Sequence, residues 1–517
     1  MKKKFLGAAL LMAGVLMLTG CSSSGQGSSQ TDAAADRDTI NVEINSDPSV
    51  LCGGFAANSV VNIVSDQIYD RLLISNGDGT YEPSLATEWE TDANGKDIIF
   101  TLREGVKFHN GETMTADDVV FSFNEIINGA YATTATSAMD HMEKIDDNHV
   151  KLVFKQVYGP ALEVTATSYM CVFPKAYYEE DPDAFLRNPI GTGPYKFVEW
   201  TSGDHISLTR NDDYFGDPAP IKNVNFKIYI DSSVAAIALE NGEIDVLTNP
   251  LQTDRANLMN NENLVYKETE SAQVTWAFFN LDSRFQDERL REAFHYAIDR
   301  QAVLEGAMEG VGTVANSMFP NFLEASDPDY QISHPYDPEK AKELLAEAGY
   351  GDGMEINVKT RELTNYYRPL EIIQAQLAQV GVTMTLDKLE SNAWTNDVFR
   401  TSNFEFNLIS TTLGFPDFDE RYALFVTGQP QNFYNVADPE LDAAFNTNRS
   451  STDRDERIQA CHDIIRIMDE KCLILPLYCN MRGIAYQKGL EGIEPNPYYN
   501  YAISDWSWGT GDTAAAE

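Results

Sequence analysis

The chain contains 517 residues, of which 43% are hydrophobic and 11% are aromatic. At about 100–200 residues per domain this length predicts several folded units, and the composition excludes a disordered chain, a collagen and a coiled coil. The formal net charge of −41 argues against nucleic-acid binding, which needs a basic surface, and against docking on anionic lipid through a polybasic face.

The amino terminus has the pattern of a bacterial export signal. Lysines precede an apolar run from Phe5 to Leu18, and the motif LTGC ends at Cys21. The run is too short for a stable membrane span but suits a signal peptide over residues 1–20. Its end resembles the lipobox of bacterial lipoproteins, which implies cleavage before Cys21 and lipid attachment to that thiol. Residues 21–36 are rich in serine and glycine and predict a flexible tether, so the lipid is the one membrane contact we expect.

Beyond this tether the sequence alternates between strand-like and helix-like segments. Alternating apolar residues predict strands at Asn41–Asn45, Ile98–Leu102 and His149–Phe154. Caps and apolar stripes of helical period predict helices after the N-cap Thr115, over Asp287–Leu304, from Asp337 to a stop at Gly349, through Leu370 and Val380 to a stop at Gly381, and over about Asp453–Glu470. The mixed order indicates α/β or α+β lobes without a short sequence repeat.

Cysteine and histidine usage gives no sign of a metal site. Beyond the tether the sequence contains five cysteines, at Cys52, Cys171, Cys461, Cys472 and Cys479. An odd number excludes a complete disulfide framework. No CxxC motif occurs and the seven histidines are scattered, so the ligand spacing typical of zinc is absent. We expect no metal and no cofactor.

Catalytic motifs are also missing from the sequence. Adjacent acidic pairs such as Asp117-Asp118 and Asp212-Asp213 invite comparison with a glycosidase, but neighbouring side chains do not face each other on a strand or a helix. No GxSxG or HExxH motif occurs. We therefore expect a protein that is not an enzyme, with a hydrolase as a distant alternative and an adhesive or structural lipoprotein as a third class.

Seven sequence blocks in a fixed order give the most specific signal. They are YEPSLATEWE from Tyr81, LREGVKFHNGETMTADDVVFS from Leu102, NPIGTGPYKFVEW from Asn188, RNDDYFG from Arg210, NGEID from Asn241, FQDERLREAFHYAIDR from Phe285 and AKELLAEAGY from Ala341. Together they resemble the family 5 extracellular solute-binding proteins, the oligopeptide-, dipeptide- and nickel-binding receptors of ABC importers. The resemblance covers roughly residues 40–500.

The resemblance implies an α/β fold, a two-lobed clamshell like that of periplasmic binding proteins, with an extra subdomain in the first lobe. The expected bounds are 36–60, 186–275 and 485–517 for the first lobe, 61–185 for the subdomain and 276–484 for the second lobe. Chain crossings between the lobes would form a hinge. The implied protein is a monomer, lipid-anchored at the outer face of the cell membrane or in the periplasm, that closes on a ligand and delivers it to ABC permease subunits.

The resemblance also implies a ligand-contacting loop near residue 410. In peptide-binding members of the family, a Trp-x-x-Asp segment ahead of an Asp/Glu-Pro pair supplies the carboxylate that pairs with the α-ammonium of the peptide. By spacing, Thr411 replaces the tryptophan, while Gly414, which precedes Phe415, replaces the carboxylate. Asp417 or Asp419 would take over this role only if the loop follows a different path.

Four further residues match cleft positions of the family. Trp276 falls where family members place aromatic residues that line the cleft, with burial in the lobe core as the alternative. Ser46 and Asp47 match a segment that contacts the main chain of the ligand. Arg400 matches a cleft arginine, with a surface ion pair as the alternative.

Peptides are the first ligand class that the resemblance suggests, because a cleft with backbone-directed hydrogen bonds accepts many side chains. The runner-up is the same receptor role for a non-peptide solute, such as an oligosaccharide, an opine-like conjugate or a metallophore. Thr411 and Gly414, in place of the usual tryptophan and carboxylate, favour that runner-up.

Overall fold

A computed structural model describes residues 38–56, 58–129, 136–327 and 329–509. The predicted signal peptide, Cys21 and the whole tether lie outside these residues. Within the described ranges, no helix is both long enough and apolar enough to cross a bilayer.

The strands and helices alternate along the chain, and short 3-10 and π-helical turns connect some of them. The strands are β1 Thr39–Ile44, β2 Leu73–Ser75, β3 Tyr81–Pro83, β4 Ala86–Thr91, β5 Ile98–Leu102, β6 Met139–Lys144, β7 His149–Phe154, β8 Tyr195–Thr201, β9 His205–Arg210, β10 Asn223–Ile228, β11 Val246–Leu247, β12 Leu264–Phe279, β13 Thr313–Val314, β14 Met354–Arg361, β15 Val382–Leu389, β16 Phe406–Thr412, β17 Ile474–Gln487, β18 Leu490–Glu491 and β19 Ser507–Trp508. The helices are α1 Ser59–Ile68, α2 Ala116–Asn128, α3 Ala161–Thr165, α4 Lys175–Glu180, α5 Pro182–Phe185, α6 Ser232–Glu240, α7 Arg255–Asn260, α8 Glu288–Ala297, α9 Arg300–Met308, α10 Pro338–Glu347, α11 Thr364–Gln379, α12 Ser391–Trp394, α13 Tyr422–Phe425, α14 Pro439–Ser450 and α15 Arg454–Glu470.

A mixed nine-stranded sheet joins the two lobes. Its order is β16-β12-β17-β11-β1-β10-β9-β8, and β13 also pairs with β17. Strand β1 is parallel to β10 and β11, whereas β12 and β17 are antiparallel to each other. In the subdomain, β4, β5, β7 and β6 form an antiparallel sheet, and in the second lobe β14 and β15 form a parallel pair joined through α11.

The long strands β12 and β17 run through both lobes. Near Leu264 they lie beside β11 of the first lobe, and near Phe278 they lie beside β16 of the second. Their pairing register shifts between Glu270 and Val274. Because such irregularities bend a strand locally, this is the place where a hinge between the lobes is expected.

Most predicted elements are present with bounds close to those expected. Strands β5 and β7 have the predicted bounds, and Thr115 caps α2 in a capping box with Asp118. The single helix expected over Asp287–Leu304 is wrong, because the chain forms α8 and α9 instead. The break occurs at Ile298 and Asp299, whose backbones are extended, and the Asp299 side chain accepts the Ala302 amide to cap α9.

Two large hydrophobic cores account for most buried side chains. The first core draws on residues 40–246 and 484–506 and therefore unites the first lobe with the subdomain. The second draws on residues 272–479, and a small third cluster surrounds α6. Phe415 comes from the second-lobe part of the chain but packs in the first core, so the two lobes are in contact in this structure.

Glu43 is a carboxyl group buried inside the sheet on β1. One of its oxygens accepts hydrogen bonds from the amide (3.1 Å) and hydroxyl (2.9 Å) of Thr248, and the other has no hydrogen bond of ordinary geometry to a described residue. Desolvation raises the pKa of Glu43 to about 7, and the Thr248 hydrogen bonds oppose this shift.

We expect Glu43→Gln to stabilise the fold at pH 8 by about 1–3 kcal/mol. The folded state binds the Glu43 proton more tightly than the unfolded chain does, so this contribution to stability is present below the unfolded pKa and is lost as the pH rises through about 7. Urea unfolding at pH 8 and pH 4.5 measures the difference, with the exposed Glu362→Gln variant as control. An equal gain at both pH values would contradict the titration argument.

Candidate ligand-binding site

A cavity of about 570 Å³ lies between the lobes, and a second cavity of about 280 Å³ adjoins it. Ser168, Gly414, Tyr498 and Asn500 line both cavities. The walls combine the subdomain, the second-lobe segment around Gly414 and the chain after residue 496. Cavities of this size and placement are typical of small-molecule and peptide sites.

The cavity walls are acidic. Asp66, Asp70, Asp78 and Glu163 line the larger cavity and Glu420 lines the smaller, whereas Arg71 is the basic residue among the lining side chains that the structure describes. Arg71 already forms an ion pair with Asp66 and donates to Ser168 at 2.9 Å. The walls therefore favour a ligand with positive charge.

Asp70 shows how strongly this surface is desolvated. It accepts hydrogen bonds from the hydroxyls of Thr192 (2.8 Å) and Tyr214 (3.0 Å). Burial nevertheless raises its pKa to about 6, because these hydrogen bonds and the more distant Arg71 compensate only part of the lost hydration.

Tyr498 lines both cavities, and its hydroxyl feels the charges of Glu163 on the wall of the larger cavity and of Glu420 on the wall of the smaller; we call these three residues the acidic junction. Glu163 accepts hydrogen bonds from Ser75 (3.0 Å) and Tyr81 (3.1 Å), and Glu420 accepts the Gly414 amide at 2.7 Å. Burial raises the pKa of both carboxyl groups. An incoming cation would relieve this cost.

Tyr498 completes the junction with a buried polar atom. Its hydroxyl has no hydrogen-bond partner among the described residues. Burial, followed by the charges of Glu163 and Glu420, raises its pKa, so the hydroxyl stays protonated. A buried hydroxyl without a partner is costly, and a ligand in the cavity could supply the missing acceptor or donor.

The structure places the predicted loop residues in two different environments. Gly414 and Phe415 line the larger cavity. Asp417 forms an ion pair with Arg457 and accepts the Asp419 amide at 2.9 Å, and Asp419 is neutralised by an arginine of α14. Neither carboxylate lines either of these two cavities, and both are paired with arginines, so this geometry does not favour the interpretation that they face the amine of a ligand.

The reason lies in the path of the chain after β16. A 3-10 turn over Phe418–Arg421 directs Asp417 and Asp419 towards arginines of α14 and α15. Glu420, the next residue, lies on another side of this turn and lines the smaller cavity. Sequence reasoning missed Glu420, although adjacent residues of a helical turn must point in different directions.

The four other candidates do not line either cavity in the described part of the chain. Trp276 is 0% exposed in the second core, and its ring nitrogen donates to Thr411 at 3.2 Å, which corresponds to the core alternative. Asp47 accepts from the Trp200 ring nitrogen at 2.9 Å, Ser46 is half-buried beside it, and Arg400 is exposed.

Comparison with known proteins decides the family. A model described as bacterial extracellular solute-binding proteins, family 5 Middle, matches residues 80–433. The chain belongs to this family. Its predicted resemblance and α/β clamshell class are confirmed, because solved structures share the fold: HbpA2 from Haemophilus parasuis matches with a TM-score of 0.82 and 26% identity, over 91% of this chain and 99% of that one.

Relatives of this solute-binding protein carry different names. Heme-binding protein A of Haemophilus influenzae is 28% identical over 413 residues, which cover 72% of this chain and 75% of that protein. The dipeptide-binding protein of Escherichia coli is 29% identical over 360 residues, which cover 63% and 67% of the two chains. Family membership therefore leaves more than one ligand class to consider.

In a solute-binding protein, contacts across the cleft define the closed state, and one cluster makes such contacts here. We call Tyr158, Gly159, Asp419, Arg449 and Arg457 the interlobe latch. The Tyr158 hydroxyl donates to Asp419 at 2.8 Å, and Asp419 also accepts from Arg449 at 2.9 Å. The Gly159 amide donates to the Arg449 carbonyl at 2.7 Å, and Arg457 donates to the Gly159 carbonyl at 3.2 Å. The latch joins the subdomain to the second lobe.

Proposed function

We propose that this solute-binding protein is the lipid-anchored receptor of an ABC importer, and that it captures short to medium peptides by lobe closure and delivers them unchanged to permease subunits. The observation that carries the proposal is an acidic cavity with walls from both lobes. The dipeptide-binding relative supports peptides as the cargo. The role requires no catalysis, and incubation with peptide should yield stoichiometric capture without cleavage products.

The acidic junction is the part of the cavity that suits the amino terminus of a peptide. An α-ammonium group between Glu163 and Glu420 would gain charge-assisted hydrogen bonds in a desolvated place. Tyr498 would contribute an oxygen to the same group. In this arrangement Glu420, further along the same loop, supplies the carboxylate that peptide-binding members carry at the position of Gly414.

A second candidate is a cationic non-peptide solute in the same cavity. The specific observation in its favour is that Thr411 and Gly414 stand where peptide-binding members carry tryptophan and aspartate. The heme-binding relative shows that names within the family extend beyond peptides. The two candidates share the receptor role and differ only in cargo.

Closure must be driven by the ligand for such a receptor to work. A shift from mostly open to mostly closed needs a preference of about 10⁴-fold, or roughly 5.5 kcal/mol, for the closed state. A ligand that touches both walls of the cavity can supply this difference, because in the open state it contacts only one wall.

Two measurements on the purified chain test the proposal. Native mass spectrometry of protein purified without refolding should reveal retained cargo, and the mass of that cargo separates a peptide from another solute. Small-angle scattering should show a smaller radius of gyration when the cargo is added back to stripped protein. An unchanged radius with every cargo recovered would refute closure, and a cargo that emerges cleaved would refute the receptor role.

Cys21 carries the proposed membrane anchor. Processing at this residue would remove the signal peptide and leave residues 21–36 as a tether between lipid and lobes. The mass of the amino-terminal peptide from membrane-associated protein should correspond to a lipid-modified cysteine, and Cys21→Ser should abolish that modification.

A further inference from the structure

Three potential metal ligands converge inside the second lobe, far apart in the sequence. His295 lies on α8, His334 in the segment before α10, and Cys472 directly after α15. One ligand atom from each lies within 4.8 Å of the other two. The Cys472 sulfur is 3.5 Å from Nδ1 and 3.8 Å from Nε2 of His334. None of the three lines the described cavities between the lobes.

His295 gives the independent sign that something is missing from this cluster. This residue is 2% exposed, and neither ring nitrogen makes a hydrogen bond of ordinary geometry to another described residue, although the Ile474 backbone lies close enough to interact with the ring. A buried imidazole whose nitrogens are poorly satisfied costs free energy comparable to a lost hydrogen bond. Such a group calls for an unseen partner, and an ion bound by the neighbouring sulfur and imidazole would provide one.

The spacing of the ligand atoms matches a metal centre. With metal–sulfur bonds of about 2.3 Å and metal–nitrogen bonds of about 2.0 Å, tetrahedral or trigonal angles place sulfur and nitrogen about 3.5–3.7 Å apart. The observed distance from Cys472 to Nδ1 of His334 falls at this value, and because Nε2 is 3.8 Å away the sulfur faces the ring edge between the two nitrogens, so binding an ion also requires the half-exposed His334 ring to rotate. The His295 and His334 rings are 5.8 Å apart between centroids and inclined at 75°, and a nitrogen of each lies within 4.8 Å of the other and of the Cys472 sulfur.

The charges around the cluster limit the kind of ion. Arg291 donates to the Cys472 carbonyl at 3.2 Å, and Arg300 donates to the Ala315 carbonyl at 3.2 Å. Burial, followed by the charge of Asp469, raises the pKa of the Cys472 thiol, so a thiolate there needs a bound cation. The two buried guanidinium groups disfavour an ion that leaves net positive charge at the site.

We propose that His295, His334 and Cys472 bind one soft transition-metal ion, and that Cu⁺ fits the site better than Zn²⁺. A thiolate with two neutral imidazoles and Cu⁺ has no net charge, whereas Zn²⁺ would leave a positive charge beside the two arginines. Three protein ligands also suit Cu⁺, while a structural Zn²⁺ site takes four. The scattered histidines led us to expect no metal, because sequence spacing does not show this convergence.

The site would connect three elements of the second lobe. A bound ion would link the segment that carries His334 to the ends of α8 and α15. His334 is the half-exposed ligand of the three, so an ion could reach the site from its side. This inference is independent of the proposed cargo, because the cluster and the acidic junction share no residue.

Competition with a chromophoric Cu⁺ chelator, under reducing conditions, tests the site on the purified chain. Stripped wild-type protein should take one equivalent of Cu⁺ from the chelator. Substitution of a residue that only supports a metal ligand usually weakens metal binding by about 10–100-fold. Cys472→Ser and His334→Asn remove proposed ligands, so each should weaken Cu⁺ binding by more than this. Cys461→Ser, a change at another buried cysteine, should have no effect.

Several outcomes would overturn the proposal. If wild type and His334→Asn bind Cu⁺ equally, the contact between Cys472 and His334 is only a hydrogen bond. Because His334 is half-exposed, this variant remains informative if Cys472→Ser does not fold. Tighter binding of Zn²⁺ than of Cu⁺ in parallel chelator competitions would overturn the preference for copper.

Discussion

Asp419→Ala is expected to lower the free energy of unfolding by about 3–5 kcal/mol, because it leaves a buried guanidinium without its partner. The Arg449 side chain is 9% exposed and that of Asp419 is 0% exposed, so water cannot replace the lost carboxylate. The Tyr158 hydroxyl loses its acceptor at the same time. Urea unfolding followed by fluorescence measures the change.

Three variants separate the terms of this effect. Tyr158→Phe removes only the hydrogen bond across the cleft and should cost about 0.5–1.5 kcal/mol. Asp463→Ala removes an exposed partner of Arg466 and should cost about 1 kcal/mol or less. Replacing both Asp419 and Arg449 by apolar residues of similar size should restore most of the stability, because a buried ion pair adds little beyond well-packed apolar side chains. A loss in Asp419→Ala no larger than in Asp463→Ala would refute the buried pair.

Local signals explain why much of the fold could be predicted. The strand at His149–Phe154 alternates strictly between buried and half-buried residues, so its pattern carried the information. The helix over Asp287–Leu304 failed because its apolar stripe continues across Ile298, while Asp299 also fits the N-cap of a new helix. Two extended residues interrupt the helix here without visibly changing the spacing of apolar residues, so the helical period alone could not predict the interruption.

The site was less predictable because tertiary packing chooses among similar side chains. Asp417, Asp419 and Glu420 lie within a few residues, and all three are carboxylates. Arginines on α14 and α15 pair with the first two and leave the third on the cavity wall. Those arginines follow the loop by tens of residues, so no local motif announces the pairing. Cys472 and His334, 138 residues apart, are a similar case.

Glu420→Gln should have the largest effect on ligand binding if the acidic junction holds the amino terminus of a peptide. We expect the affinity for a peptide with a free amine to fall by about 10–100-fold, in line with loss of one charge-assisted contact worth about 1.5–3 kcal/mol. The neutral amide still accepts the Gly414 amide, so the loop should keep its path. Titration calorimetry at pH 7 measures the change, with the exposed Glu362→Gln variant as matched control.

The N-acetylated form of the same peptide makes this test specific. Wild type should prefer the free amine, whereas Glu420→Gln should bind both forms with nearly equal affinity, because acetylation removes the charge that the carboxylate recognises. Burial raises the pKa of Glu420, so this carboxylate becomes protonated at a higher pH than an exposed glutamate does. As the pH is lowered, wild-type affinity for the free amine should therefore begin to fall earlier than it would with an exposed glutamate, because protonation removes the negative charge. If Glu420→Gln weakens both peptides equally at pH 7, the residue shapes the loop, and the ammonium group binds elsewhere on the acidic wall.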